Sequence, residues 1–67
     1  MSNRLYMVRR SRRMTQGELA VMAGISRTTI CMLERHGGYP SMRVAIALCN
    51  ALGCSFEEVF PIDVSLF

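Results

Sequence analysis

All the positive charge of this 67-residue chain is arginine: eight of them, no lysine, and a formal net charge of +3. A guanidinium is a planar fork of donors that meets two acceptors at once on a phosphate or a guanine edge, which a point-like ammonium does less well. Arg4, Arg9, Arg10, Arg12 and Arg13 crowd the first fifth of the chain. A basic run also serves simply as a solvated helix face, so the charge permits binding to nucleic acid without establishing it.

Other chemistry is hard to assemble. His36 is the single histidine and there are five acids. Gly37-Gly38 falls between helical segments and does not follow a strand, so it is not a phosphate-cradling loop. No nucleophile, base and orienting group come together, and catalysis is not expected. Cys31, Cys49 and Cys54 are odd in number, sit among apolar neighbours and match no common zinc spacing. They read as reduced thiols, Cys49 and Cys54 serving as small hydrophobes. No metal, cofactor or small-molecule ligand is expected.

The elements that must position the arginines are helices. Leu5, Val8, Arg9 and Arg12 share one face, giving a first helix from about Asn3 to Arg12. Thr15-Gln16-Gly17-Glu18 is a capping box that opens a second helix over about 16–23, closed by Gly24. Ser26 caps a third helix over about 27–35, with Ile30 and Leu33 on one face. Ser41 starts a fourth, whose Met42, Ala45, Leu48, Cys49 and Leu52 form an apolar stripe stopped by Gly53. Ser55-Phe56-Glu57-Glu58 reads as a second capping box, and Pro61 ends the brief fifth helix.

The expectation is an all-α fold: five short helices around one core over residues 1–60, followed by a tail over 61–67. A chain that is 51% apolar is not a disordered tail. Its longest apolar runs are too short to span a bilayer, and no charged-then-apolar leader is visible, so a cytoplasmic protein with no membrane partner is expected.

Helices two and three are separated only by Gly24, Ile25 and the capping Ser26. So short a turn forces a steep crossing and needs a small residue where the backbones meet, which Ala20 supplies. Leu19, Ala23, Ile25, Ile30 and Leu33 furnish the inner contacts and leave the outer face of helix three free. This is the geometry of a helix-turn-helix, whose second helix enters the DNA major groove.

Residues 15–34, TQGELAVMAGISRTTICMLE, resemble the phage-repressor type of helix-turn-helix, the lambda Cro and repressor class or XRE family. The resemblance continues through PSM at Pro40–Met42, ALCNALG at Ala47–Gly53 and SFEEVF at Ser55–Phe60, covering roughly residues 4–60. It implies a compact five-helix lambda-repressor-like domain that binds double-stranded operator DNA as a dimer. By the same resemblance, Arg27, Thr28 and Met32 are base-facing positions of the recognition helix. Gln16 is a phosphate contact that braces that helix, and Thr29 faces the backbone or groove wall. The loop after helix three lacks the usual lysine or arginine, which shifts phosphate contact there to backbone amides or to Arg35 and Arg43.

The alternative is a protein-interaction module, an antitoxin or adaptor on the same scaffold. Val21 and Met22, which are apolar where relatives carry charge, and the apolar tail motivate it. Two further expectations concern architecture. Arg9 lies on the apolar face of helix one and Glu34 on the inner face of helix three, so the two charges should pair. After Pro61, Ile62, Val64 and Leu66 alternate with Asp63, Ser65 and Phe67, the period of a strand. Two-fold pairing would give such a strand a partner, making Phe60, Ile62, Val64 and Leu66 the expected homodimer interface. A terminus folded loosely over the core is the other reading of the tail.

Overall fold

Among the described residues the chain forms five helices: α1 Leu5–Ser11, α2 Gln16–Ala23, α3 Arg27–His36, α4 Met42–Leu52 and α5 Phe56–Val59. The structure, a computed structural model, describes residues 3–61, and among these there is no strand. The Thr15 capping box is complete. Thr15 Oγ1 accepts from the Glu18 amide at 3.0 Å, while Glu18 Oε1 accepts from the Thr15 amide at 2.9 Å. Ser26 Oγ accepts from the Thr29 amide at 3.1 Å and Ser41 Oγ from the Val44 amide at 3.4 Å. Each bond satisfies one of the amides that a helix start leaves without a partner. Gly24 closes α2 at φ +69°, letting the Ile25 amide reach the Ala20 carbonyl at 3.1 Å.

Two local expectations are corrected. Ser55 precedes α5 with extended backbone, but its side chain makes no capping bond. The Glu58 amide bonds the Ser55 backbone carbonyl instead, at 3.2 Å. This four-residue helix is held by core packing at its C-terminal end, where Val59 and Phe60 are both 0% exposed. At the other end of the chain, α1 is shorter than the apolar spacing suggests, because Asn3 is used as a clamp. Asn3 Oδ1 accepts from the Leu5 amide at 3.0 Å, and Nδ2 donates to the carbonyls of Leu33 at 3.1 Å and Gly38 at 2.8 Å. The Arg4 amide donates to the Val59 carbonyl at 2.7 Å. The chain entrance is thus tied to α3, to the loop between α3 and α4, and to α5.

The core is built from Leu5 of α1, Leu19 of α2, Ile30 of α3, Leu48 of α4, Val59 of α5 and Phe60, all fully enclosed. Ala20, Ala45, Cys49 and Leu52 complete it, with Ala23, Ile25 and Leu33 packed against its edge. Burying each large side chain contributes about 1.5–3 kcal/mol. Ala20 is 8% exposed in α2, the helix that packs on both α3 and α4.

Met42 and Phe60 exchange their expected environments. Met42 is 64% exposed, because it opens α4 before Val44 and Ala45, the first residues of that helix to touch the core. Phe60 is sealed inside the single chain, packed against Phe56 at 5.3 Å and edge-on to Tyr39 at 5.8 Å between ring centroids. A side chain with no accessible surface cannot form part of an interface, so Phe60 leaves the set of dimer residues. Ile62, Val64 and Leu66, the rest of that set, lie outside the described residues, as does the expected C-terminal strand.

Candidate nucleic-acid interface

The outer face of α3 is presented by its inner face. Ile30 is buried and Leu33 and Glu34 are partly covered. Glu34 is the joint. Arg9 Nε donates to Glu34 Oε2 at 2.7 Å and Arg9 Nη2 to Oε1 at 3.0 Å, a two-pronged ion pair whose side chains are 8% and 6% exposed. Gln16 Nε2 donates to the same Oε1 at 3.1 Å, and Arg9 Nη1 donates to the Met14 carbonyl at 2.7 Å. One carboxylate therefore ties α1 and the first residue of α2 to α3. The hydrogen bond to Glu34 raises the Arg9 pKa, and burial opposes it. Among the described residues no buried side-chain nitrogen or oxygen lacks a partner, which is the condition for a buried charge to be tolerated.

With the inner face held, Arg27, Thr28, Met32 and Arg35 stand exposed, with Cys31 half-buried between them. Together with Gln16 they line one open concavity of about 450 Å³. The structure thus brings together the three base-facing candidates, Arg35 and the bracing glutamine. Thr29 is half-buried, its hydroxyl 2.8 Å from that of Ser26, so it reinforces the cap of α3. Arg43 is exposed in the first turn of α4 and lines neither this concavity nor the larger one beside it.

That neighbouring groove, about 560 Å³, runs from the end of α1 to the start of α3, with Arg10, Arg13, Gln16 and Arg27 along it. The arginines in and just after α1 have separate roles. Arg9 is consumed by Glu34. Arg12 Nε donates to the Leu52 carbonyl at 3.0 Å, where a cation suits the negative end of α4. Arg10 and Arg13 are left facing the groove, the Arg10 guanidinium also 5.8 Å from the Tyr6 ring.

Arg13 closes α1 with φ +57°. Its amide bonds the Arg10 carbonyl at 2.9 Å, and the Met14 amide bonds the Arg9 carbonyl at 3.3 Å. These two bonds are the Schellman ending, which glycine makes readily and which costs a residue with a Cβ about 1–2 kcal/mol.

Residues 5–59 match the HTH_3 family model, described as helix-turn-helix. This chain belongs to the XRE-type helix-turn-helix family. Members of that family are DNA-binding proteins and not enzymes. The helix-turn-helix protein is 33% identical over 60 residues to an uncharacterized HTH-type transcriptional regulator of Methanocaldococcus jannaschii, covering 90% of this chain and 91% of that one. A second uncharacterized HTH-type transcriptional regulator, from Archaeoglobus fulgidus, is 38% identical over 50 residues, or 75% of this chain and 71% of the other. Among solved structures it is similar to the restriction-modification controller protein C.AhdI from Aeromonas hydrophila. The TM-score is 0.76 at 27% sequence identity, over 82% of this chain and 83% of that chain.

Sequence reasoning missed Arg10 and Arg13 as groove residues of this helix-turn-helix protein. Their only signal was membership of the arginine cluster, and the spacing alone did not separate them from Arg9 and Arg12.

Proposed function

We propose that this protein is a small transcriptional regulator that binds double-stranded DNA sequence-specifically, with α3 lying in the major groove. The observation that carries the reading is the division of α3: its inner face is locked by Ile30 and the Arg9–Glu34 pair, while Arg27, Thr28 and Met32 stand free. Arg27 bonds guanine O6 and N7 together, and Thr28 and Met32 offer apolar contact to thymine methyls. Gln16, Thr29, Arg35 and Arg43 hold phosphates and set the register of the helix.

The working unit is a homodimer on an operator of two half-sites about one helical turn apart, since a single module of this size makes few base contacts. Residues 61–67, beyond the domain of residues 1–60, join the two copies. The protein acts in the cytoplasm, where such an operator lies. Selecting bound fragments from genomic DNA, followed by titration of the selected site across salt concentrations, tests the whole reading. One enriched, two-fold related sequence and a steep fall of affinity with salt are expected. No enrichment over random fragments would sink it.

The second reading, a partner-binding module, is favoured by Val21 and Met22, adjacent in α2 and 83% and 64% exposed. An apolar contact of that kind would hardly respond to salt, so the same titration separates the two.

A further inference from the structure

We propose that Arg13 is a DNA-phosphate contact retained at the expense of fold stability. It occupies a left-handed backbone position that glycine would fill with less strain, and it keeps one more cation in the groove beside α2. The inference rests on the reading of this protein as a duplex binder. Among the described residues Arg13 is the one non-glycine with positive φ; the others are Gly24, Gly37, Gly38 and Gly53. Arginine at the fifth position therefore calls for a reason that the backbone does not supply. The two bonds of the helix ending, from the Arg13 and Met14 amides, are main-chain bonds that glycine would make equally well.

The side chain supplies no reason within the fold either. It is exposed and engages in no hydrogen bond, ion pair or ring contact among the described residues. Its neighbours differ: Arg9 is locked on Glu34, and Arg12 is bonded to the Leu52 carbonyl and to the Ser11 hydroxyl. What distinguishes Arg13 is position, since it lines the groove that also holds Arg10, Gln16 and Arg27. Strained backbone that survives without a structural return is concentrated at functional sites. A guanidinium free of internal partners, beside the face that reads bases, suits the non-bridging oxygens of a DNA phosphate.

The test compares the wild-type chain with R13G, R13K and R4A, using a labelled mixed-sequence duplex over a range of salt concentrations and thermal melting of each protein alone. Arg4 is the control: it is exposed and lies on a different concavity, beside Met7, Val8 and Glu58. R13G should melt about 4–8 °C higher as the strain is relieved. It should bind the duplex about tenfold more weakly, and its slope of log affinity against log salt should be shallower by about 0.9. R13K should recover the slope without the gain in melting temperature, and R4A should keep the wild-type slope. R13G with wild-type affinity and slope, R4A losing as much as R13G, or R13G melting no higher than wild type would each overturn the inference while leaving DNA binding intact. A wild-type chain that binds no duplex would overturn the DNA reading itself, and this inference with it.

Discussion

Arg9 and Glu34, 25 residues apart in the chain, meet as a two-pronged ion pair at 2.7 and 3.0 Å between α1 and α3. The pair is nearly shut off from water, so removing one partner strands the other's charge. Arg9→Ala should cost about 3–5 kcal/mol. A domain of this size is stable by about 3–10 kcal/mol in total, so the variant should lose a large share of its stability and melt well below the wild type. Replacing both partners, Arg9→Met with Glu34→Leu, should cost only about 1–3 kcal/mol, left by the unmet Met14 carbonyl and Gln16 amide. Urea melts followed by circular dichroism decide this, with exposed Arg10→Ala as the comparison. Equal, small losses for Arg9→Ala and Arg10→Ala would show that the pair holds nothing.

The caps make a sharper contrast. Thr15→Ala removes a hydroxyl that accepts from Glu18 and should cost about 0.5–2 kcal/mol. Ser55→Ala, at a site of similar sequence pattern but with no side-chain capping bond, should change stability by less than about 0.5 kcal/mol. The Thr15 bonds also hold the Glu18 pKa below its usual value. The folded state therefore favours ionised Glu18, and its contribution is present above the unfolded carboxyl pKa and lost as pH falls. In thermal melts from neutral to acid pH, Glu18→Gln and wild type should converge at the acid end, whereas the loss from Thr15→Ala, which removes a bond to an uncharged amide, should persist there.

On DNA, Arg27 and Gln16 should fail differently. Arg27→Ala should cost about 1–3 kcal/mol on the preferred site and flatten the preference at one base pair. Gln16→Ala should weaken all duplexes alike, because it removes the proposed phosphate contact and the bond to Glu34. Competition binding against a set of single-base operator variants reads both effects. An Arg27→Ala protein with unchanged affinity and unchanged preference would remove α3 from the role of reader.

Burial pushes the Cys49 thiol up to about 11, and the Cys54 thiol is raised by the same cause. Unfolded thiols ionise near about 8.5. The protonated form is favoured by the fold, so this contribution to stability is complete below about 8.5 and is lost as pH rises through about 11. Cys49→Ala should flatten the decline in melting temperature over that window. At about pH 8 the thiolate fraction of Cys49 is minute, and iodoacetamide should modify native Cys49 far more slowly than the same residue in urea. Peptide mass mapping after a timed pulse would show it, and equal rates in the two states would contradict the burial.

Phe60 belongs to the core, so Phe60→Ala should cost about 3–5 kcal/mol in the isolated protein. Deleting residues 62–67 keeps Val59 and Phe60 of the core, so the truncated chain should still fold. Under the proposed assembly, the truncated chain should sediment as a monomer and lose operator affinity. A truncated chain that stays dimeric with full affinity would move the junction elsewhere.

What the sequence determined by itself is what acts over a few residues. The starts of α2, α3 and α4 were legible at Thr15, Ser26 and Ser41, and the ends of α2 and α4 at Gly24 and Gly53, because a cap joins groups at most a turn or so apart. Helical spacing likewise put Leu5, Leu19, Ile30 and Leu48 inward, and it turned both Arg9 and Glu34 toward the core. Periodicity, however, gives the direction of a side chain and not the depth of its cover. Met42 shares the stripe of Ala45 and Leu48 yet lies beyond the end of the packing, and Phe60, which reads as part of a dimer interface, is roofed by Tyr39 and Phe56. Ser55 has the letters of a capping box, but core packing of Val59 and Phe60 holds its short helix. Only the folded chain decided that Asn3 fastens to Leu33 and Gly38, that Arg12 turns to Leu52, and that Arg10 and Arg13 share a groove with Gln16 and Arg27. These are meetings between distant stretches of chain or around a tight turn, set by how five short helices share one small core.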